Sequence, residues 1–240
     1  MINKGFDYED KIIKILQQKK IIDESIKSPK GSDAVDVPIL YKNNKVNLEL
    51  KNNNKGADYG QKELLWNKEN SWHWSLGKKK IKDSVVKQYE EMQIIDRYID
   101  KDFIPRKYSK ILLKEQKISS IYEEVTKEDY LYDKKRMEKP NIIIPLETLF
   151  KYYENKNIFY IQIEDSGFYH LSKDVFSLGT SQFNGSIALR LRAKYRKSSE
   201  MIDKEPWHYG FLAKIQLKVK PSPSSFDIEE KEGKEFPFKD

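Results

Sequence analysis

Three charged residues in the first quarter of the chain are spaced for shared chemistry. Glu49 and Lys51 sit one residue apart in an alternating segment, Val46 to Lys51. In a β-strand that spacing sends both side chains to one face, while Val46, Leu48 and Leu50 take the other. A second alternating segment, Val35 to Tyr41, precedes it and carries Asp36. With Asn43-Asn44 as a two-residue turn, the two segments form a hairpin that sets Asp36 opposite Lys51, Val37 opposite Leu50, Ile39 opposite Leu48 and Tyr41 opposite Val46. Asp36, Glu49 and Lys51 then share a face within cross-strand reach, roughly 5 Å directly and 7–8 Å diagonally. Two carboxylates are hard oxygen ligands suited to Mg²⁺, which lowers the pKa of a bound water and stabilises a phosphodiester transition state. A lysine beside them can orient that water and offset charge on the phosphate. The same three residues would equally make a surface salt-bridge cluster on a half-exposed hairpin. In a chain that is 35% charged, such a spacing also arises by chance.

The surrounding elements follow from periodicity. Apolar residues Tyr8, Ile12, Ile13, Ile15 and Leu16 recur at helical spacing over Phe6 to Gln18, with Asp7 as the expected N-cap and Glu9 on the edge of the apolar stripe. A second helix is expected over 83–100, capped by Asp83 or Ser84, with Val85, Tyr89, Met92, Ile95 and Ile99 along one face. Residues 101–139 are too charged for a pattern to emerge, apart from a short apolar run at Ile111-Leu112-Leu113. Asn141 to Ile144 predicts a strand running through Pro145 into a helix ending near Glu154. Ile158 to Glu164 and Gly167 to Leu171 predict a hairpin turning at Asp165-Ser166.

Composition narrows the chemistry. The 240 residues carry 45 basic and 38 acidic side chains, for a formal charge of +7, and the excess is local. Residues 186–220 hold nine Lys/Arg against three Asp/Glu, whereas 221–240 hold three against six. A polyanionic partner is the natural expectation. The absence of cysteine excludes disulfides, thiolate metal sites and a thiol nucleophile. No histidine pair has metalloprotease spacing, no Gly-x-Ser-x-Gly elbow is present, and GKKK at 77–80 lacks the remainder of a P-loop, so no nucleotide cofactor is expected. There is no signal-peptide pattern and no run of about 18 apolar residues, from which a soluble, cytoplasmic protein without membrane contact is expected.

Two late segments alternate strictly. Along 187–196, Ile187, Leu189, Leu191, Ala193 and Tyr195 oppose Ala188, Arg190, Arg192, Lys194 and Arg196; along 209–220 the pattern repeats with Lys214, Gln216, Lys218 and Lys220 on the polar side. As a ribbon these would present Arg190, Arg192, Lys194 and Arg196, with Lys197 beyond, at intervals of about 6.6–7 Å. That face could track a phosphate backbone, with Arg190 and Arg192 able to read guanine edges. A solvated outer sheet face is the plainer alternative. Gln182 and Asn184 in the preceding loop are amides suited to adenine contacts. Trp66, Trp72, Trp74 and Trp207 are expected in the core or packed at its edge.

The run GSDAVDVPILYKNNKVNLELK resembles the core of the PD-(D/E)XK nuclease superfamily, in which an Asp on one strand and a Glu-x-Lys on the next form the metal site. Asp36, Glu49 and Lys51 match that motif; Val35 stands where a proline often precedes the Asp. The resemblance implies Mg²⁺ held by Asp36, Glu49 and the Leu50 carbonyl, with Lys51 activating water. It also implies Glu9 as an assisting acid and Gln61, in a following segment similar to type II restriction endonucleases, as an auxiliary residue. It covers roughly residues 5–65. The fold it implies is α/β, a mixed central β-sheet flanked by helices, with additional antiparallel strands in the C-terminal half. A single nuclease domain is expected over 1–220, its catalytic core at about 5–100 and its DNA-contacting strands at about 140–220, followed by an acidic tail at 221–240. The implied activity is that of a homodimeric enzyme cutting double-stranded DNA at a specific sequence. A structure-selective repair or junction nuclease, or a non-catalytic DNA-binding protein, are the alternatives.

Overall fold

A computed structural model of the chain describes residues 4–28, 37–52, 58–66, 71–76, 83–105, 126–195 and 209–239. They form two sheets with helices, where the sequence suggests one central sheet, and the chain divides into two compact units. The first comprises residues 1–57, 144–187 and 217–240; the second comprises 58–143 and 188–216.

The first unit is built on four strands: β1 (Val37–Tyr41), β2 (Asn44–Lys51), β6 (Ile158–Ile163) and β7 (Gly167–His170), in the order β1-β2-β6-β7. β1 and β2 are an antiparallel hairpin, β6 runs parallel to β2, and β7 returns antiparallel to β6, so the sheet is mixed. Helix α1 (Lys4–Gln18) lays Tyr8, Ile12, Ile13 and Leu16 on one face, against Val37, Ile39, Val46, Leu48, Leu50, Tyr160 and Phe168. Asp7 lies inside the first turn of this helix and is not its N-cap, because the helix starts three residues earlier.

The hairpin turn is Lys42-Asn43, not Asn43-Asn44. Both residues take positive φ, 45° and 64°, as a two-residue hairpin turn requires. Val37 therefore pairs with Leu48, Ile39 with Val46 and Tyr41 with Asn44. This register differs from the expected one by two residues. A shift of two preserves the pleat, so either register buries the same apolar set, and alternation alone cannot choose between them.

The segment 221–239, expected as a tail without a core, is part of this unit. Ile228 and Phe238 are buried in the α1 core, with Phe226 and Phe236 packed against it. Ser224 Oγ donates to the Phe168 carbonyl at 2.7 Å, Lys19 pairs with Glu230 at 2.7 Å, and Lys11 pairs with Glu229. Gly167 makes this approach possible: its φ is +119°, and a Cβ there would meet the Phe226 carbonyl oxygen at 2.5 Å.

The second unit carries a five-stranded sheet ordered β4-β3-β9-β8-β5, from β3 (Asp58–Trp66), β4 (Trp72–Trp74), β5 (Lys139–Ile144), β8 (Ser186–Tyr195) and β9 (Tyr209–Val219). Trp66, Trp72 and Trp74 are buried as expected, Trp72 lying edge-on to Phe211 at 5.2 Å. The expected 83–100 helix is two: α2 (Ser84–Glu91), capped by Asp83 through Val86 N, and α3 (Ile94–Tyr98), separated by Gln93 at φ 53°. Val85, Val86 and Tyr89 keep helical phase, but the next buried residue, Ile94, falls five positions on, and the break restores it to the core. A capping-boxed helix α4 (Lys127–Met137) precedes β5. Ile111-Leu112-Leu113 and Trp207 lie outside the described residues. None of the helices described is long and apolar enough to cross a membrane.

Candidate active site

β2 is an interior strand, hydrogen-bonded along both edges, and each of its faces packs against a different helix. Leu50 points into the α1 core, and Glu49 and Lys51 belong to the opposite face. Over that face lies α5 (Leu146–Glu154), whose N-terminus follows Pro145 and whose residues Leu149, Tyr152 and Tyr153 are buried at helical spacing. The parallel pairing of β2 with β6 places Glu49 opposite Ile161 and Lys51 opposite Ile163.

Glu49 is 6% exposed and the Lys51 side chain 17%. This is not the solvated salt-bridge cluster that a half-exposed hairpin would carry. Lys51 Nζ is ion-paired with Glu49 Oε1, and Tyr153 donates its hydroxyl to the same oxygen at 3.2 Å. Both contacts fall on Oε1, and among the described residues Oε2 takes neither. Beside Tyr153, Tyr152 packs at 5.0 Å between ring centroids and accepts from Lys156 Nζ at 3.1 Å. Burial raises the Tyr152 phenol above its ordinary pKa.

Glu49 thus offers a carboxylate oxygen of the hard type that Mg²⁺ takes. Among the described residues no group of three or more His, Asp or Glu side chains is gathered as a metal site; Asp36 lies outside the described residues. Glu9, half-buried on α1, accepts from Ser28 Oγ at 2.6 Å and is not bonded to Glu49. Gln61 is on β3 of the second unit, paired with Lys214.

The candidate DNA contacts divide similarly. Arg190 and Arg192 lie on β8 and are half-buried, and Lys214 on the neighbouring β9 is buried, so the polar side of these strands is not the open cationic face that alternation suggests. β9 is an interior strand, between β3 and β8. The Lys194 side chain, Arg196 and Lys197 lie outside the description. Gln182 Nε2 donates to the Leu171 carbonyl at 2.8 Å, and Asn184 is doubly bonded to Ser222, accepting from its backbone N at 2.9 Å. Both amides hold the chain's own loops. Tyr153 has no signal in the sequence that separates it from Tyr152; its partnership with Glu49 exists only once β6 has docked beside β2.

No family model and no curated protein sequence matches the chain. Among solved structures it is similar to HhaI endonuclease in complex with DNA, at 13% identity and a TM-score of 0.37, across 92% of this chain and 93% of the other. A likeness of that degree carries no weight for fold or activity.

Proposed function

We propose that the chain is a Mg²⁺-dependent endonuclease of the PD-(D/E)XK type that hydrolyses phosphodiester bonds of double-stranded DNA at a specific sequence. The observation that carries this reading is the burial of Glu49 and Lys51 as an ion pair on an interior strand, with Lys51 and Tyr153 both meeting one oxygen of the carboxylate. Burying two charges costs several kcal/mol per ion before their attraction offsets it, and an apolar pair of the same volume commonly does as well. Stability alone therefore gives little reason for the pair, whereas a metal-dependent hydrolase needs both groups. Its spacing within the Asp…Glu-x-Lys pattern adds the family.

In this reading Asp36 supplies the second carboxylate. Bound Mg²⁺ would lower the pKa of its water and polarise the phosphate. Glu49 and Asp36 would hold the ion; Lys51, ion-paired with Glu49 Oε1, would orient the attacking water and offset charge on the phosphate. The Leu50 carbonyl is assigned an auxiliary role at the metal, and Arg190 and Arg192 contacts to DNA. A homodimer acting on a short palindrome completes the proposal.

The test is incubation of the protein with a long, sequenced, unmethylated DNA in Mg²⁺ or EDTA, beside Glu49→Gln and Lys51→Ala. Discrete Mg²⁺-dependent fragments are expected, with the rate lowered about 100-fold or more in each variant. Variants that cut as fast as the parent would overturn the assignment. Selective cutting of branched DNA would move the protein to a structure-selective nuclease, and retarded but uncut DNA to a binding protein.

A further inference from the structure

The contact between α5 and β2 extends this reading and rests on it. We infer that Tyr153 is a positioning residue: its hydroxyl fixes the Glu49 carboxylate so that Oε2 faces the metal and Lys51 is held for the water.

The geometry makes the case in three steps. First, a carboxylate as buried as Glu49 needs donors, and among the described residues it has the Lys51 ammonium and the Tyr153 hydroxyl, converging on Oε1. Two donors arriving from different elements, one from the same strand and one from the helix above, fix the rotation of the carboxylate about its last torsion, which a single donor leaves soft. Second, Tyr153 is itself immobile. It is 1% exposed, in the buried stripe of α5 with Leu149 and Tyr152, and packed on the ring of Tyr152. Third, without that hydroxyl the carboxylate keeps, among the described residues, Lys51 alone as partner. It is then free to turn both oxygens toward the ammonium, which removes the ligand and misdirects the lysine together. Groups that orient a metal ligand without touching the metal typically govern affinity by about 10- to 100-fold.

Tyr152 supplies the control. It is buried on the same helix and equally aromatic, but its hydroxyl is engaged by Lys156 instead of Glu49. The experiment compares the parent with Tyr153→Phe, Tyr152→Phe and Glu49→Gln in two readouts. One is Mn²⁺ binding by electron paramagnetic resonance, with and without a DNA duplex; the other is the Mg²⁺ dependence of cleavage. Thermal unfolding confirms that each variant is folded. For Tyr153→Phe the half-saturating metal concentration is expected to rise about 10-fold or more in both readouts, while the rate at saturating Mg²⁺ returns toward that of the parent. Tyr152→Phe is expected to titrate like the parent, and Glu49→Gln to lose metal binding. The inference is overturned if Tyr153→Phe titrates as the parent does, if it loses rate at every Mg²⁺ concentration with Mn²⁺ affinity unchanged, or if Tyr152→Phe shifts equally. A parent that neither binds Mn²⁺ nor cuts DNA would overturn the functional reading itself, and this inference with it. A parent that does both, matched by Tyr153→Phe, sinks the inference alone.

Discussion

Two buried carboxylates on opposite faces of one sheet show how surroundings decide what an acid is for. Glu49 has an ammonium and a hydroxyl against one oxygen. Asp227, wholly buried on the α1 side, accepts from Gln162 Nε2 at 3.1 Å and Glu229 N at 2.8 Å, and its nearest cation, Lys234, is 4.0 Å from its other oxygen. Burial is the largest influence on Asp227 and raises its carboxyl above the ordinary 3.8. A carboxyl whose pKa is higher folded than unfolded favours folding below its unfolded value, and that contribution disappears as pH rises through the folded value. Asp227→Asn is therefore expected to raise the melting temperature at neutral pH, with the advantage over the parent shrinking as pH falls toward 3.8; scanning calorimetry across that range checks it. A constant or inverted difference would show that the ionised form is the favoured one. At this scale the sequence reveals Glu49 and Lys51 because a two-residue spacing guarantees a common face. It does not reveal Tyr153, which lies 104 positions from Glu49 in the chain.

Strands and helices were legible wherever one face is apolar and the other polar, and illegible where parity or phase is ambiguous. The β1–β2 hairpin could slide by two residues without moving any side chain to the wrong face, and only the positive φ of Lys42 and Asn43 fixes it. The 83–100 stretch has enough apolar residues for one helix, yet Tyr89 and Ile94 cannot share a stripe without the break at Gln93. β8 and β9 alternate as strictly as any solvated ribbon, but Lys214 is buried and Arg190 and Arg192 are half-buried, at positions that composition alone would leave to water. The β6–β7 turn offers the sharpest test at this scale. Gly167→Ala forces a Cβ against the Phe226 carbonyl and demands an unfavourable φ, so it is expected to destabilise the protein by about 2 kcal/mol or more in denaturant titration. An unchanged midpoint would mean that the C-terminal segment yields without cost.

For the whole molecule, charge and composition proved a partial guide. PSPSS followed by acidic residues reads as a tail, yet Phe226, Ile228, Phe236 and Phe238 alternate on either side of the turn Lys231–Gly233 and are joined by a bridge between Phe226 and Glu235. That alternation was the signal, and the acidic residues between mask it; Glu229 pairs with Lys11 of α1 and Glu230 with Lys19 just beyond it. A chain ending at Lys220 loses the burial of Ile228 and Phe238, about 1.5–3 kcal/mol each, and the hydrogen bond from Tyr169 to the Ser222 carbonyl. It is expected to lose near-ultraviolet dichroism and its cooperative melting transition; retention of both would restore the tail to a dispensable appendage.

The first unit draws its strands and covering segments from three separated stretches, the last beginning at residue 217. On a ribosome, Glu49, Lys51 and Tyr153 have all been made well before Ile228 and Phe238, which close the apolar face beneath them. The β1–β2 hairpin contacts are local, but long loops must be closed before β6 and the last stretch complete that core, which places the unit among slowly maturing topologies. The order of synthesis thus acts as a delay. Chains interrupted short of their final stretch carry Glu49, Lys51 and Tyr153 but lack the segment that closes the apolar face beneath them.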